Sequence, residues 1–352
     1  MNSNKTIRVL VVDDSIVARE LIIRGLSVHP RIEVVGYAIN TLDAKLKISK
    51  LSPDVVTMDV EMPGQNGIDF LKSYLPTNPI PVILVSSLNL KVFDALEAGA
   101  VDFVRKPFTQ DNNAAFITAL SQKVIAASNA KVRLASSAAP ARGGVRAPAA
   151  SVDTLGSSSK LDRVIIGLGA STGGTEATLE VMKRLPADIP GMVIVQHMPP
   201  GFTQMYAERL NRLCRMEVRE AKNGDELHRG LALVAPADFQ TRVVKVGTKY
   251  TVSCTPGEKV SGHRPSVDVL FQSMSETVQH NMVGIILTGM GQDGAAGLLA
   301  MRKKGAYTIG QDRESSVVYG MPMVAKDIGA VCVQSSIENV SHVLMRHLKT
   351  LG

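Results

Sequence analysis

The sequence predicts an α/β protein built from two doubly wound parallel-sheet domains, and three observations carry that reading. The chain has 352 residues, more than one ordinary hydrophobic core accommodates. Short apolar runs alternate with amphipathic segments over residues 7–127 and again from residue 161, the pattern of parallel strands covered on both faces by helices. Between the two series lies SNAKVRLASSAAPARGGVRAPAASVDTLGSSSK, which has too few large apolar residues to offset the entropy of ordering it. The expected organisation is therefore a first domain over 1–127, a flexible linker over 128–160 and a second domain over 161–352.

In the first domain the strand candidates are IRVLVV, IEVVGYA, DVVTMD, PVILVS and VDFVRK, with helical patterns such as SIVARELIIRGL and NLKVFDALEAG among them. Chemistry in such sheets gathers at the carboxyl ends of the strands. There the sequence places Asp13 and Asp14 after the first strand, Asp59 after the third, Ser86 after the fourth and Lys106 after the fifth. Three carboxylates at one edge repel one another unless a hard cation sits among them, and Mg²⁺ suits an oxygen-only set. Taken singly, each aspartate could equally be a helix cap or a loop acid.

The pattern VVDDS, MDVEMPGQNG, LVSS, RKP resembles the response-regulator receiver domain, which has a flavodoxin-like fold. That resemblance implies that Asp59 accepts a phosphoryl group from a histidine kinase and that Asp13 and Asp14 hold Mg²⁺ with it. It also implies that Ser86 and Lys106 sense the phosphate. Serine stands at 86 where many receivers carry threonine, which keeps the hydroxyl.

In the second domain the alternation reads RVIIGLG, TEATLEVMKRL, MVIVQH, TQMYAERLNRL, LALVAP, VGIILTG and GLLAMRKKG, interrupted by a hairpin pattern, TRVVKVGTKYTVS, around Gly247. A Rossmann-like parallel sheet with an added antiparallel hairpin is expected. The loop GLGASTGG after the first strand invites a nucleotide reading. However, Thr172 stands where a GxGxxG fingerprint wants glycine, and the second strand ends in Gln196 and His197 rather than in an acid for the ribose. No lysine stands before the Ser or Thr after GxxxxG in this loop, as a Walker motif requires.

A hydrolase reading uses the same loop differently. Ser171 needs a base within reach and an acid to orient that base, and His197 and Asp293 lie at the ends of two other strands of the sheet. Thr172 beside the serine and the Met290 N–H in the TGMG turn are the candidate oxyanion or supporting groups. Each residue also has a plainer role: Ser171 or Thr172 as a helix cap, His197 as a bonded residue before Met198-Pro199-Pro200, Asp293 as the cap of AAGLLAMRKK.

The segments GASTGG, QHMPPGFT, HRPSVDVLF, LTGMGQDGA and QDRESSVVYGMP together resemble the catalytic domain of the chemotaxis protein-glutamate methylesterases, the CheB family. The receiver, linker and esterase order matches as well. The resemblance implies Ser171 as nucleophile, His197 as general base and Asp293 as orienting acid, with no metal needed for ester hydrolysis. It implies demethylation of glutamate methyl esters on chemoreceptors, deamidation of selected glutamines, and activation by phosphorylation. One departure is PADFQTRV, where the family usually carries a histidine-containing PGD-type loop.

Bulk composition narrows the alternatives. The net charge of +7 invites nucleic acid as a partner. Yet residues 1–127 carry 13 basic and 13 acidic side chains, and the 128–160 stretch carries 5 and 1 with no aromatic residue for base stacking. No nucleic-acid partner is expected. Three isolated cysteines, Cys214, Cys254 and Cys332, give neither a disulfide framework nor a zinc site. With no long apolar run and no signal peptide, a cytoplasmic protein without membrane insertion is expected.

Overall fold

The structure is a computed structural model that describes residues 5–62, 67–87, 91–107, 113–132, 155 and 158–352. The chain divides into two compact units, Met1–Ser137 and Ala138–Gly352. Most of the expected linker, 128–160, lies outside the described residues, as do residues 63–66 of MDVEMPGQNG and 89–90 of NLKVFDALEAG.

In the first unit five strands form one parallel sheet: β1 (Ile7–Val12), β2 (Ile32–Ala38), β3 (Val55–Asp59), β4 (Val82–Ser86) and β5 (Asp102–Arg105), in the order β2-β1-β3-β4-β5. The helices α1 (Ile16–Ser27), α2 (Thr41–Leu51), α3 (Gly67–Tyr74), α4 (Lys91–Glu97) and α5 (Asn113–Ala127) alternate with them. Every residue of β3 and β4 is buried, which is why VVTMD and VILVS read as continuous apolar runs without a polar face. Asp59 and Ser86 are the last residues of their strands, and Asp13 and Lys106 each follow theirs directly.

The second unit is a seven-stranded parallel sheet of β6 (Ile165–Ala170), β7 (Met192–Gln196), β8 (Glu217–Glu220), β9 (Leu231–Val234), β12 (Met282–Ile286), β13 (Tyr307–Gln311) and β14 (Val333–Ser335). Its order is β14-β13-β12-β6-β7-β9-β8. The strand β8, an edge strand not anticipated from the sequence, makes LALVAP the fourth strand of the unit in chain order. The hairpin falls where its pattern indicated, as β10 (Gln240–Val246) and β11 (Lys249–Thr255), paired from Gln240↔Thr255 to Val246↔Lys249 in a two-stranded sheet of its own.

The helices of this unit are α6 (Gly174–Met182), α7 (Phe202–Leu213), α8 (Val267–Thr277), α9 (Ala295–Lys303), α10 (Met321–Asp327) and α11 (Ile337–Leu351). Helix α8 has the hairpin on one side, where the Val243 N–H donates to Ser273 Oγ at 2.9 Å, and β6 on the other. The close approach to β6 needs glycine: a Cβ on Gly169 would lie 2.2 Å from Val267 Cγ1, and one on Gly167 would lie 2.6 Å from Met274 Sδ.

The chain leaves β6 toward β7 on one side and returns on the other as β12, so neighbouring strands diverge there. Such a switch point opens a crevice at the carboxyl ends of the strands. Because Val267 is fully buried and stiff at χ1, Gly169→Ala should destabilise the second unit by ~1–3 kcal/mol through overpacking. Urea denaturation of the two proteins measures it.

Candidate functional site

The turn between β6 and α6 is fixed through its backbone. The Ser171 N–H donates to Thr288 O at 3.0 Å, and the Ser171 carbonyl accepts from the Gly174 N–H at 2.7 Å and from Gln196 Nε2 at 2.9 Å. Thr288 Oγ1 donates to Thr172 O at 2.9 Å, so the loop after β12 braces the loop after β6. The Ser171 side chain is partly exposed and needs glycine opposite, since a Cβ on Gly289 would stand 2.8 Å from Ser171 Cβ. Thr172 is buried. Met290, by contrast, is exposed, and its N–H donates no hydrogen bond among the described residues.

On the next strand, Ala170 pairs with Gln196, and the His197 N–H donates to Ala170 O at 3.2 Å, which sets His197 beside the Ser171 turn. The His197 ring meets Asp293 through Nε2 at 2.8 Å from Oδ2. The same carboxylate accepts from the Val267 N–H at 2.8 Å on Oδ2, and from Ser266 Oγ at 2.7 Å and the Asp268 N–H at 3.0 Å on Oδ1. Asp293 therefore caps α8 rather than its own helix. The N-terminus of α9 has no cap from its own N-cap residue, Gly294, and Asp268 of α8 instead accepts from the Gly297 N–H at 2.8 Å. The two helices exchange acids.

Burial pushes the Asp293 carboxyl up, but the hydrogen bond and charge of His197, Ser266 and the Asp268 N–H outweigh it, and the group lies below the ordinary carboxylate range. Burial and the neighbouring Asp293 charge hold Asp268 above that range, against the Gly297 N–H. An ionised Asp293 accepts only, so in neutral His197 the proton sits on Nε2 and the lone pair on Nδ1. That Nδ1 is buried and takes no hydrogen bond among the described residues, the Ser171 hydroxyl included.

Three more residues complete the surroundings. His263 stacks on His197, Ser266 ties α8 to Asp293, and Gln240 Oε1 accepts from the Ser266 N–H at 2.9 Å. Ser266 lies in the quoted stretch HRPSVDVLF, where its place before an apolar helix marks a cap but not the carboxylate it serves.

In the first unit, Asp13, Asp14 and Asp59 each bring an oxygen within 4.8 Å of the others. Lys106 Nζ stands 2.6 Å from Asp59 Oδ2 and 2.9 Å from Asp13 Oδ2. Burial lowers the Lys106 ammonium, but its hydrogen bonds to Asp59 and Asp13 outweigh that and leave it above the ordinary lysine value. For Asp59, burial together with the Asp13 charge prevails over Lys106 and the Glu61 N–H, and its carboxyl lies above the usual range. The Ser86 hydroxyl is fully buried and without a partner among the described residues. An oxygen-only donor set with an unsatisfied hydroxyl beside it fits Mg²⁺ and a phosphoryl group.

The CheB methylesterase family matches residues 166–344, and the response regulator receiver domain family matches residues 9–118. A protein of Syntrophomonas wolfei, named protein-glutamate methylesterase/protein-glutamine glutaminase 2, is 48% identical over 347 residues, covering 99% of each chain. The chain belongs to the CheB methylesterase family. A Syntrophotalea carbinolica member named protein-glutamate methylesterase/protein-glutamine glutaminase is 47% identical, covering 96% of each chain. The crystal structure of the Thermotoga maritima CheB methylesterase catalytic domain is similar to the second unit, at 32% identity and a TM-score of 0.51, covering 52% of this chain and 97% of that one.

Asp293→Asn should cost ~2–4 kcal/mol of stability near neutral pH, since buried donors lose a charged acceptor. With its folded pKa below the unfolded value of about 3.9, the carboxylate's contribution is complete above that value and lost as pH falls through the folded pKa. The gap between wild type and variant should therefore shrink below about pH 4 in urea titrations.

Proposed function

We propose that the chain hydrolyses glutamate methyl esters on chemoreceptors, and deamidates selected receptor glutamines, with Ser171, His197 and Asp293 as its catalytic set. The observation that carries this reading is the His197–Asp293 pair at 2.8 Å, which leaves the Nδ1 lone pair unpartnered among the described residues, on a ring beside the Ser171 turn. Ser171 Oγ attacks the ester carbonyl while His197 Nδ1 takes its proton, and Asp293 offsets the charge on the imidazolium. The Met290 N–H, which donates to no acceptor among the described residues, would receive the oxyanion, with Thr172 in support. Collapse of the intermediate breaks the bond to methoxide, which leaves as methanol with the proton from His197. Water, deprotonated by the same nitrogen, then cleaves the glutamyl ester of Ser171 and restores the hydroxyl. With a glutamine substrate the leaving group is ammonia.

The first unit supplies control. Asp59 attacks the phosphorus of a phosphohistidine on a histidine kinase, forming a P–O bond as the P–N bond breaks. Asp13, Asp14 and Asp59 would hold Mg²⁺, which when bound offsets the gathered negative charge. Lys106 and Ser86 receive the phosphate oxygens, and the rearranged strand ends raise esterase turnover. Residues 128–160 tether this receiver, 1–127, to the esterase, 161–352. Among the described residues no helix is long and apolar enough to cross a membrane, and the reading places the protein in the cytoplasm, acting on the receptors' helices there.

Methanol release from methyl-labelled receptor membranes should fall at least ~1,000-fold in Ser171→Ala. Undiminished release would remove the serine mechanism. Asp59→Asn should keep basal release and lose its stimulation by acetyl phosphate; stimulation equal to wild type would place control elsewhere.

A further inference from the structure

His197 is anchored at one point. The bond from Nε2 to Asp293 fixes one corner of the imidazole, yet a single hydrogen bond leaves the ring free to turn, and Nδ1 has no partner among the described residues to stop it. The ring plane is set by His263, which lies face to face with it, centroids 3.7 Å apart and planes within 7°.

His263 is itself held firmly. It exchanges both backbone hydrogen bonds with Val260, at 3.0 and 2.9 Å, across a tight turn in which Ser261 and Gly262 both take left-handed backbone angles, φ 53 and 82. Such a turn suits glycine, and its serine is retained at a backbone cost. The His263 carbonyl accepts from Gln240 Nε2 at 3.2 Å, and the same nitrogen donates to Glu258 O at 2.8 Å. Gln240 Oε1 takes the Ser266 N–H, and Ser266 Oγ donates to Asp293. One bonded path thus runs from the stacking ring to the carboxylate at the other side of the base. Gln240 belongs to PADFQTRV, the loop whose sequence departs from the family pattern.

We infer that His263 is the positioning residue of the base: its ring fixes the plane of His197 so that Nδ1 addresses Ser171, and its π face favours the imidazolium that forms during attack. The inference rests on the hydrolase reading above. A flat ring is what the role requires, so phenylalanine should substitute and alanine should not.

The full-length protein tests it as His263→Ala and His263→Phe, with Ser171→Ala alongside, by methanol release and by the rate at which a fluorophosphonate labels Ser171. His263→Ala should lower kcat and the labelling rate ~10–100-fold, with KM within about twofold, because misplacing a base by an ångström costs on that order. His263→Phe should recover both to within about fivefold of wild type. Unchanged kcat in His263→Ala overturns the inference, and so does a folded His263→Phe protein as slow as His263→Ala. Full methanol release by Ser171→Ala would instead overturn the serine mechanism on which the inference rests, and that control is read without reference to His263.

Discussion

A carboxylate taken out of water must find replacements for the hydrogen bonds it loses, and Asp293 finds four: an imidazole, a hydroxyl and two backbone N–H groups. Those donors come from the end of β7 and from the start of α8. The requirement that one buried charge be satisfied thereby fixes the position of the helix, the loop after β12 and the His197 ring relative to one another. Most of the site's geometry follows from it. The tautomer of His197, and so which ring nitrogen keeps its lone pair, is a consequence of that carboxylate remaining ionised.

The serine turn is organised on a different principle. Its hydroxyl is held out while the backbone on either side is braced, by Thr288 from one neighbouring strand end and Gln196 from the other. Glycines at 167 and 169 let α8 come close under the turn, so the acid that the helix start attracts sits near the strand that leads into Ser171. The same placement of chemistry at the ends of parallel strands recurs in the first unit, where three carboxylates and an ammonium share one edge. There the charges are compensated by an ion pair instead of by helix N-termini.

Much of this was legible in the sequence because fully buried strands such as VVTMD and MVIVQ announce themselves as apolar runs, and the residue following each run is then placed at a sheet edge. Asp13, Asp59, Ser86, Lys106 and His197 follow from that rule, whereas Asp293 lies farther along the loop after β12. The edge strands of the second unit did not announce themselves: EVRE of β8 has only one fully buried position, and VQS of β14 is three residues long. The partners of Asp293 were hidden for another reason. Sequence suggests that an acid before a helix caps that helix, and the exchange between Asp293 and Asp268 is decided by how α8 and α9 pack. Likewise, nothing in the spacing of His197 and His263, 66 residues apart, indicates stacked rings.

The position of β6 in the sheet has a consequence for how the enzyme emerges from the ribosome. It is the first strand of its unit to be made, yet the neighbour on one of its sides is β12, completed more than a hundred residues later. Until then the nascent chain carries an apolar strand with an open hydrogen-bonding edge, together with a helix whose first turn awaits Asp293. Such an intermediate is adhesive, and its lifetime is set by translation speed. The pairing of both edges of β6 and the bonds to Asp293 are therefore completed in close succession, before β13 and β14 extend the sheet.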